Sequence, residues 1–143
     1  MADRLEMDAA APPTLEAVVV ACAKVVRAAL GSGLTEAIYQ AGLCLELRAR
    51  GHAVASEIPV PVMFRDQIIG VLRADVLVDG LVIAELKTTA RLTDAHAAQL
   101  AAYTRRVPGV CGGVLLNFAG SGDDVEVRAL RPCDVAVTSG RVT

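Results

Sequence analysis

Tryptophan is absent from this chain of 143 residues, and only two Phe and two Tyr are present. A surface that holds single-stranded nucleic acid by stacking bases on aromatic rings needs more than that. An excess of basic charge is missing too: 14 Lys and Arg face 16 Asp and Glu, for a net charge of −2. No overall positive field attracts polyanions, so any nucleic-acid contact must come from a local patch of arginines and lysines. Paired cysteines are lacking. Cys22, Cys44, Cys111 and Cys133 lie far apart without a C-x-x-C pair, which argues against zinc or iron–sulfur ligation and for small buried thiols in a reducing cytoplasm. Long hydrophobic runs are lacking as well. Ala17–Leu30 is interrupted by Lys24 and Arg27 and is too short to span a bilayer, so no membrane role is expected. The opening MADRLEMDAAAPP does not have the basic-then-apolar layout of a signal peptide. No internal repeat or low-complexity tract is found.

What remains is 54% hydrophobic and 21% charged, the composition of one globular domain with a real core. Residues 1–13 read as a flexible lead-in, 14–132 as a single domain and 133–143 as a weakly specified tail. Thr14 is a candidate N-cap for a helix over Leu15–Leu30, with apolar residues at helical spacing from Leu15 to Ala29. Val20, Ala21 and Ala23 widen the stripe, which predicts cover on more than one side and a possible homo-oligomer contact through this helix. A second helix is expected over Leu34–Arg50, closed by Gly51. Pro59 and Pro61 at alternate positions mark Val54–Phe64 as an edge strand. Strands follow over Ile68–Val78 and Leu81–Lys87, then a helix from Thr93 or Asp94 to Arg106. An apolar strand over Val110–Phe118 and a half-exposed one over Asp123–Leu130 complete the chain. This order predicts an α/β domain: a mixed β-sheet flanked by α-helices.

The segment RADVLVDGLVIAELK, Arg73 to Lys87, carries the chemistry. Glu85 and Lys87 are two apart and share a strand face. Asp75 joins that face only if the hairpin loop has an odd number of residues. A bulged Val78-Asp79-Gly80 loop with Gly80 left-handed meets that condition and would pair Asp75 with Ile83. Two carboxylates and an ammonium on interior strands are costly unless a divalent cation or mutual pairing offsets them. A plain ion pair between Lys87 and Asp75 or Glu85 is the competing reading. Glu36 and Tyr39 share one helical face, and Gln99 and Tyr103 lie one turn apart on the later helix, where an amide and a phenol can both reach a phosphate or a water. His96 precedes them on the same stripe, and for His96 a solvated outer face is expected.

Asp, then Glu-x-Lys, then a helix with Gln-x-x-x-Tyr resembles the PD-(D/E)XK nuclease superfamily, especially its exonuclease-like branch. The chain is most similar to the small bacterial GxxExxY family, whose motif reads here as Gly33, Glu36 and Tyr39. The resemblance runs from about Val18 to Leu130. It takes in LGSGLTEAIYQAGLCLELRARG, RADVLV, ELK, HAAQLAAY and LLNF around Asn117. It implies a restriction-endonuclease-like fold, with a four-stranded mixed core sheet between helices. It further implies Mg²⁺ or Mn²⁺ held by Asp75 and Glu85 with Glu36 near, Lys87 as the catalytic lysine, and Gln99 and Tyr103 as supports. Three positions depart from the pattern: Ala74 replaces the superfamily's proline, Ser32 a proline often found between two glycines, and Arg27 a frequent histidine.

The expected function is metal-dependent hydrolysis of nucleic-acid phosphodiesters, most simply DNA, with Arg73, Arg91, Arg105 and Arg106 as candidate backbone contacts. The alternatives are a non-catalytic nuclease-fold binding or assembly protein, favoured by the negative net charge, the apolar first helix and the Arg27 that stands for the family histidine, and an enzyme acting on a small phosphate ester.

Overall fold

The computed structural model describes residues 13–119 and 124–130; the rest of the lead-in, Cys133 and the tail lie outside the described residues. Helix α1, Leu15–Leu30, starts at Thr14, whose hydroxyl accepts from the Ala17 amide at 3.2 Å. It buries Val19, Cys22, Ala23 and Val26 on one side and leaves Val25 and Leu30 exposed. The second covered side expected from the wide stripe is not filled by the described residues. Helix α2 spans Glu36–Ala49, two residues shorter at its start than expected, because Thr35 is its extended N-cap residue.

The sheet follows. Strand β1 is Val54–Phe64, β2 Gln67–Val78 and β3 Val82–Lys87; helix α3, Asp94–Arg106, then crosses to β4, Gly112–Asn117, and β5 is Glu126–Leu130. Spatial order equals chain order. Only β3 and β4 run parallel; every other neighbouring pair is antiparallel. The proline-bearing β1 is indeed an edge, and β4 is central and wholly buried. Among the described residues the sheet has five strands, one more than the core the resemblance implies.

Helices α1 and α2 cover one face, packing Val19, Tyr39 and Leu43 onto Val76, Ala84, Leu86 and Leu116. Helix α3 covers the other, packing Leu100 and Tyr103 onto Val60, Ala74, Ile83 and Leu115. A Cβ on Gly113 would meet Leu100 and Thr104 at 3.0–3.1 Å, so the missing side chain lets α3 lie close to β4.

The β1–β2 ribbon changes face midway. Val54, Val76 and Val78 pack with α1 and α2, whereas Ile58, Val60, Leu72 and Ala74 pack with α3. The change falls at Glu57, which is left-handed (φ 55°) and opposite Asp75. Because the side-chain period of a strand is two, such a reversal needs one residue off the regular path.

The β2–β3 register corrects the sequence expectation. Val78 pairs with Val82 and Val76 with Ala84, so the loop is Asp79-Gly80-Leu81 and Asp75 stands opposite Glu85, not Ile83. The loop has three residues and Gly80 is left-handed (φ 68°), as required. It sits one residue later because Asp79 is pinned: its carboxylate accepts from the Ala53 amide and contacts His52 Nδ1, both at 2.8 Å.

Candidate active site

Regular pairing of β2 with β3 ends at Val76–Ala84, and carboxylates take over there. The Asp75 amide donates to Glu85 Oε1, and the Leu86 amide donates to Asp75 Oδ2, each at 2.8 Å. Each acid thus occupies a position where a backbone carbonyl would otherwise accept. The two carboxyl groups are neighbours, each acting on the other's acidity. Glu85 is 3% exposed. Burial first, then the neighbouring Asp75 anion, pushes its carboxyl up to about 8. Asp75 is raised as well, by burial, against the opposing pull of the Leu86 amide and Lys87. Two carboxylates that cannot both ionise comfortably hold one proton between them.

Lys87 comes next on the same face of β3. Among the described residues no ion pair within 4.0 Å joins it to Asp75 or Glu85. Its ammonium instead donates to Gln99 Oε1 at 2.9 Å. The ion-pair alternative is therefore not what the geometry shows. Gln99 in turn acts on the phenol of Tyr103, whose acidity is weakened by burial and by the two carboxylates. The Gln-x-x-x-Tyr turn of α3 thus joins Lys87 to the acid pair.

Glu36 enters from the start of α2. Burial raises its carboxyl; Lys87 and His96 oppose the rise and Asp75 adds to it, which places Glu36 at the same cluster. The three motif positions divide the work. Gly33 makes the left-handed turn (φ 89°). Tyr39 donates to Gly31 O at 2.6 Å and stacks on Phe118 with centroids 4.5 Å apart. The Phe118 amide donates to Lys87 O at 2.9 Å, so this stack ties the start of α2 to the end of β3. Arg27 is also buried here, donating from Nε to Phe118 O at 3.1 Å.

Sequence reasoning missed Glu57. It raises Asp75, accepts from Gln40 Nε2 at 3.0 Å and pairs with Arg73 at 3.5 Å. A left-handed glutamate in a strand leaves no signal beyond the prolines that follow it. His96 was expected on a solvated face; it is half-buried and completes the α3 capping box with Thr93. Asn117 was read only as part of LLNF. Fully buried, it bonds Thr89 in both directions, the Ala119 amide and Glu126, locking the loop between Lys87 and α3. Cys22 and Cys44 are buried as expected, but Cys111 is exposed.

The arginines do not converge. Arg73 is held by Glu57, Arg91 is exposed near Glu126, and Arg105 and Arg106 flank an open groove of about 450 Å³ with Pro61 and Met63.

A divalent cation suits the acid pair. Two neighbouring carboxyl groups, each anchored by an amide, are the hard oxygen donors such an ion takes. Among the described residues no group of three His, Cys, Asp or Glu closes into a complete ligand set, so Glu36 is near the pair without joining it. No described helix is long and apolar enough to cross a membrane. No curated protein and no solved structure matches this chain. The family model of the PD-(D/E)XK nuclease superfamily, however, matches residues 13–129, from the start of α1 through the acid pair and Lys87 into β5. A match of that extent makes the chain a member of the PD-(D/E)XK nuclease superfamily, whose enzymes generally use divalent metals.

Proposed function

We propose that this protein hydrolyses phosphodiester bonds of nucleic acid, with DNA the first substrate to test, using Mg²⁺ or Mn²⁺, and that within its superfamily it is a GxxExxY-type protein acting as one domain over residues 14–132. The observation that carries this reading is the pair of half-buried Asp75 and buried Glu85, both raised, with the Lys87 ammonium on the same strand face. When bound, a dication polarises the scissile phosphate and acidifies a water. Asp75 and Glu85 are the residues that would hold it, with Glu36 the third candidate donor. Lys87 neutralises the charge that develops on the phosphate, and Gln99 keeps its ammonium in place. Tyr103, one turn on, supports Gln99. Arg105 and Arg106, with Arg73 and Arg91 further out, are the phosphate contacts this reading uses. A reducing cytoplasm suits the free, buried Cys22 and Cys44.

The test is cleavage of linear and supercoiled DNA and of RNA in Mg²⁺ or Mn²⁺, beside Asp75→Ala and Lys87→Ala. Loss of about 10²-fold or more in rate is expected for each variant. No cleavage by the wild type, together with no Mn²⁺ binding by calorimetry, would return the domain to the assembly reading.

A further inference from the structure

Half of the large apolar side chains that the described chain leaves exposed sit on one ribbon. Met63, Phe64, Ile68, Ile69 and Val71 are 54–65% exposed, at the outer half of the β1–β2 hairpin. Met63 pairs with Ile68 and Pro61 with Val71, so these four share a face. On the opposite face Val60 and Ala74 pack on α3, and at the rim Pro61 and Met63 border a groove with Arg105 and Arg106 at the end of α3. Helices α1 and α2 pack only beyond the reversal at Glu57, at Val54, Val76 and Val78, and do not reach the outer half. Met63, Ile68, Val71 and Pro61, with Ile69 at the bulge, expose on the order of 500 Å² together, within the range of a monomer's largest apolar patch and a large part of one partner's share of a stable dimer; Phe64, paired with Gln67, lies on the other face.

We propose that this face is the contact between two copies of the chain, related by a two-fold axis. Charge selects that occupant. Residues 57–73 contain Glu57, Arg65, Asp66 and Arg73, a net charge of zero. Nucleic acid and anionic membranes need a positive excess, which the ribbon's own residues lack; the neighbouring excess, Arg105 and Arg106, borders only Pro61 and Met63 at the rim. The charges alternate in sign, Arg65 beside Asp66 at the tip and Glu57 paired with Arg73 at the base. A two-fold axis can therefore set opposite signs against each other, as a self-complementary contact requires. Addition of a further strand is blocked, because Pro59 and Pro61 remove donors from the edge strand, so the pairing is face to face. This reading places the oligomer contact on the hairpin, whereas sequence periodicity suggested α1. Strand β2 carries both the ribbon face and Asp75, so the contact also fixes two acid pairs relative to each other.

The experiment is sedimentation velocity and light scattering on the full chain over a range of concentrations, without metal or nucleic acid. The wild type is expected at twice 14.8 kDa. Ile68→Glu with Val71→Glu is expected at 14.8 kDa with an unchanged far-ultraviolet spectrum. Ile69→Lys should weaken dimerisation at least tenfold. Val25→Glu, on the exposed side of α1, should leave the mass unchanged. A wild type that stays monomeric at every concentration overturns the proposal, as does a folded double variant that remains dimeric. Mass is read without catalysis, so failure of the nuclease reading leaves this result standing, and the reverse.

Discussion

Glu85 and Glu126 both accept from a backbone amide beside a strand end, yet their surroundings push them in opposite directions. Glu126 takes hydrogen bonds from Asn117 Nδ2 and the Leu92 amide, each at 2.9 Å, and its carboxyl is lowered chiefly by that Asn117 bond. Glu85 takes one amide bond, is buried, and faces another carboxylate, and it is raised to about 8. In the first cluster every partner favours the anion. In the second, burial and a like charge oppose it, and the single Lys87 is turned to Gln99. An arrangement that serves stability alone has no reason to place two acids in contact; one that awaits a cation does.

The largest expected effect tests the cluster that stabilises. Asn117→Ala removes a fully buried amide with four hydrogen-bond partners and leaves the Thr89 amide and carbonyl unsatisfied. A loss of about 3 kcal/mol is expected, close to 10 °C in Tm by calorimetry. A loss below about 1 kcal/mol would mean that the Asn117–Glu126 lock is dispensable, and the contrast with Glu85 would collapse.

Next in size come the opposed pH dependences. The folded-state carboxyl of Glu85 lies at about 8, against 4.5 unperturbed. Its proton therefore favours the native state, and that contribution is complete below 4.5 and lost as pH rises through 8. Metal-free protein should lose stability over that window, by at least ~1 kcal/mol after allowance for the coupling with Asp75. Glu85→Gln should flatten the slope and melt higher than the wild type at alkaline pH. Glu126 runs the other way: its folded carboxyl is lowered, so its contribution is present above 4.5 and disappears as pH falls through the folded value. Thermal melts of Glu126→Gln should show a deficit near neutrality that vanishes in acid. Parallel slopes in the two variants would remove the distinction.

How much of this was legible in the sequence depends on whether the cause was local. Parity was local. Glu85 and Lys87 two apart, with an odd loop and a left-handed Gly80, put Asp75 on the right face. The actual register was not local, because Asp79 is held by His52 and Ala53, 27 and 26 residues earlier. Glu57 was invisible for the same reason: its left-handed backbone belongs to the whole ribbon changing sides, and no residue type announces that. Helix ends were readable where a side chain caps its own turn, as at Thr14 and Thr93. The lock of Asn117 on Thr89 and Glu126 spans 28 and 9 residues, and only its tetrapeptide stood out.

A smaller effect concerns cation affinity. A dication must displace the proton shared by Asp75 and Glu85, so Mn²⁺ affinity measured by calorimetry should rise with pH toward 8, by up to about tenfold per unit, and level off above it. Heats in buffers of different ionisation enthalpy should report close to one proton released below 8. Release of no proton would mean that the acid pair is not where Mn²⁺ binds.

The smallest effect is the most discriminating about register. Gly80 has φ 68°, and a Cβ there would meet nothing within 4 Å. Gly80→Ala therefore costs only the left-handed backbone, about 1 kcal/mol in chemical denaturation. Asp79 stays anchored to Ala53 and His52, so the three-residue loop and the Asp75–Glu85 opposition should survive, with Mn²⁺ affinity unchanged. If affinity falls while the fold persists, the loop has moved by a residue. A slip by one turns Asp75 to the α1 and α2 face, away from Glu85 and Lys87, and the register of this hairpin would then be what holds the two acids together.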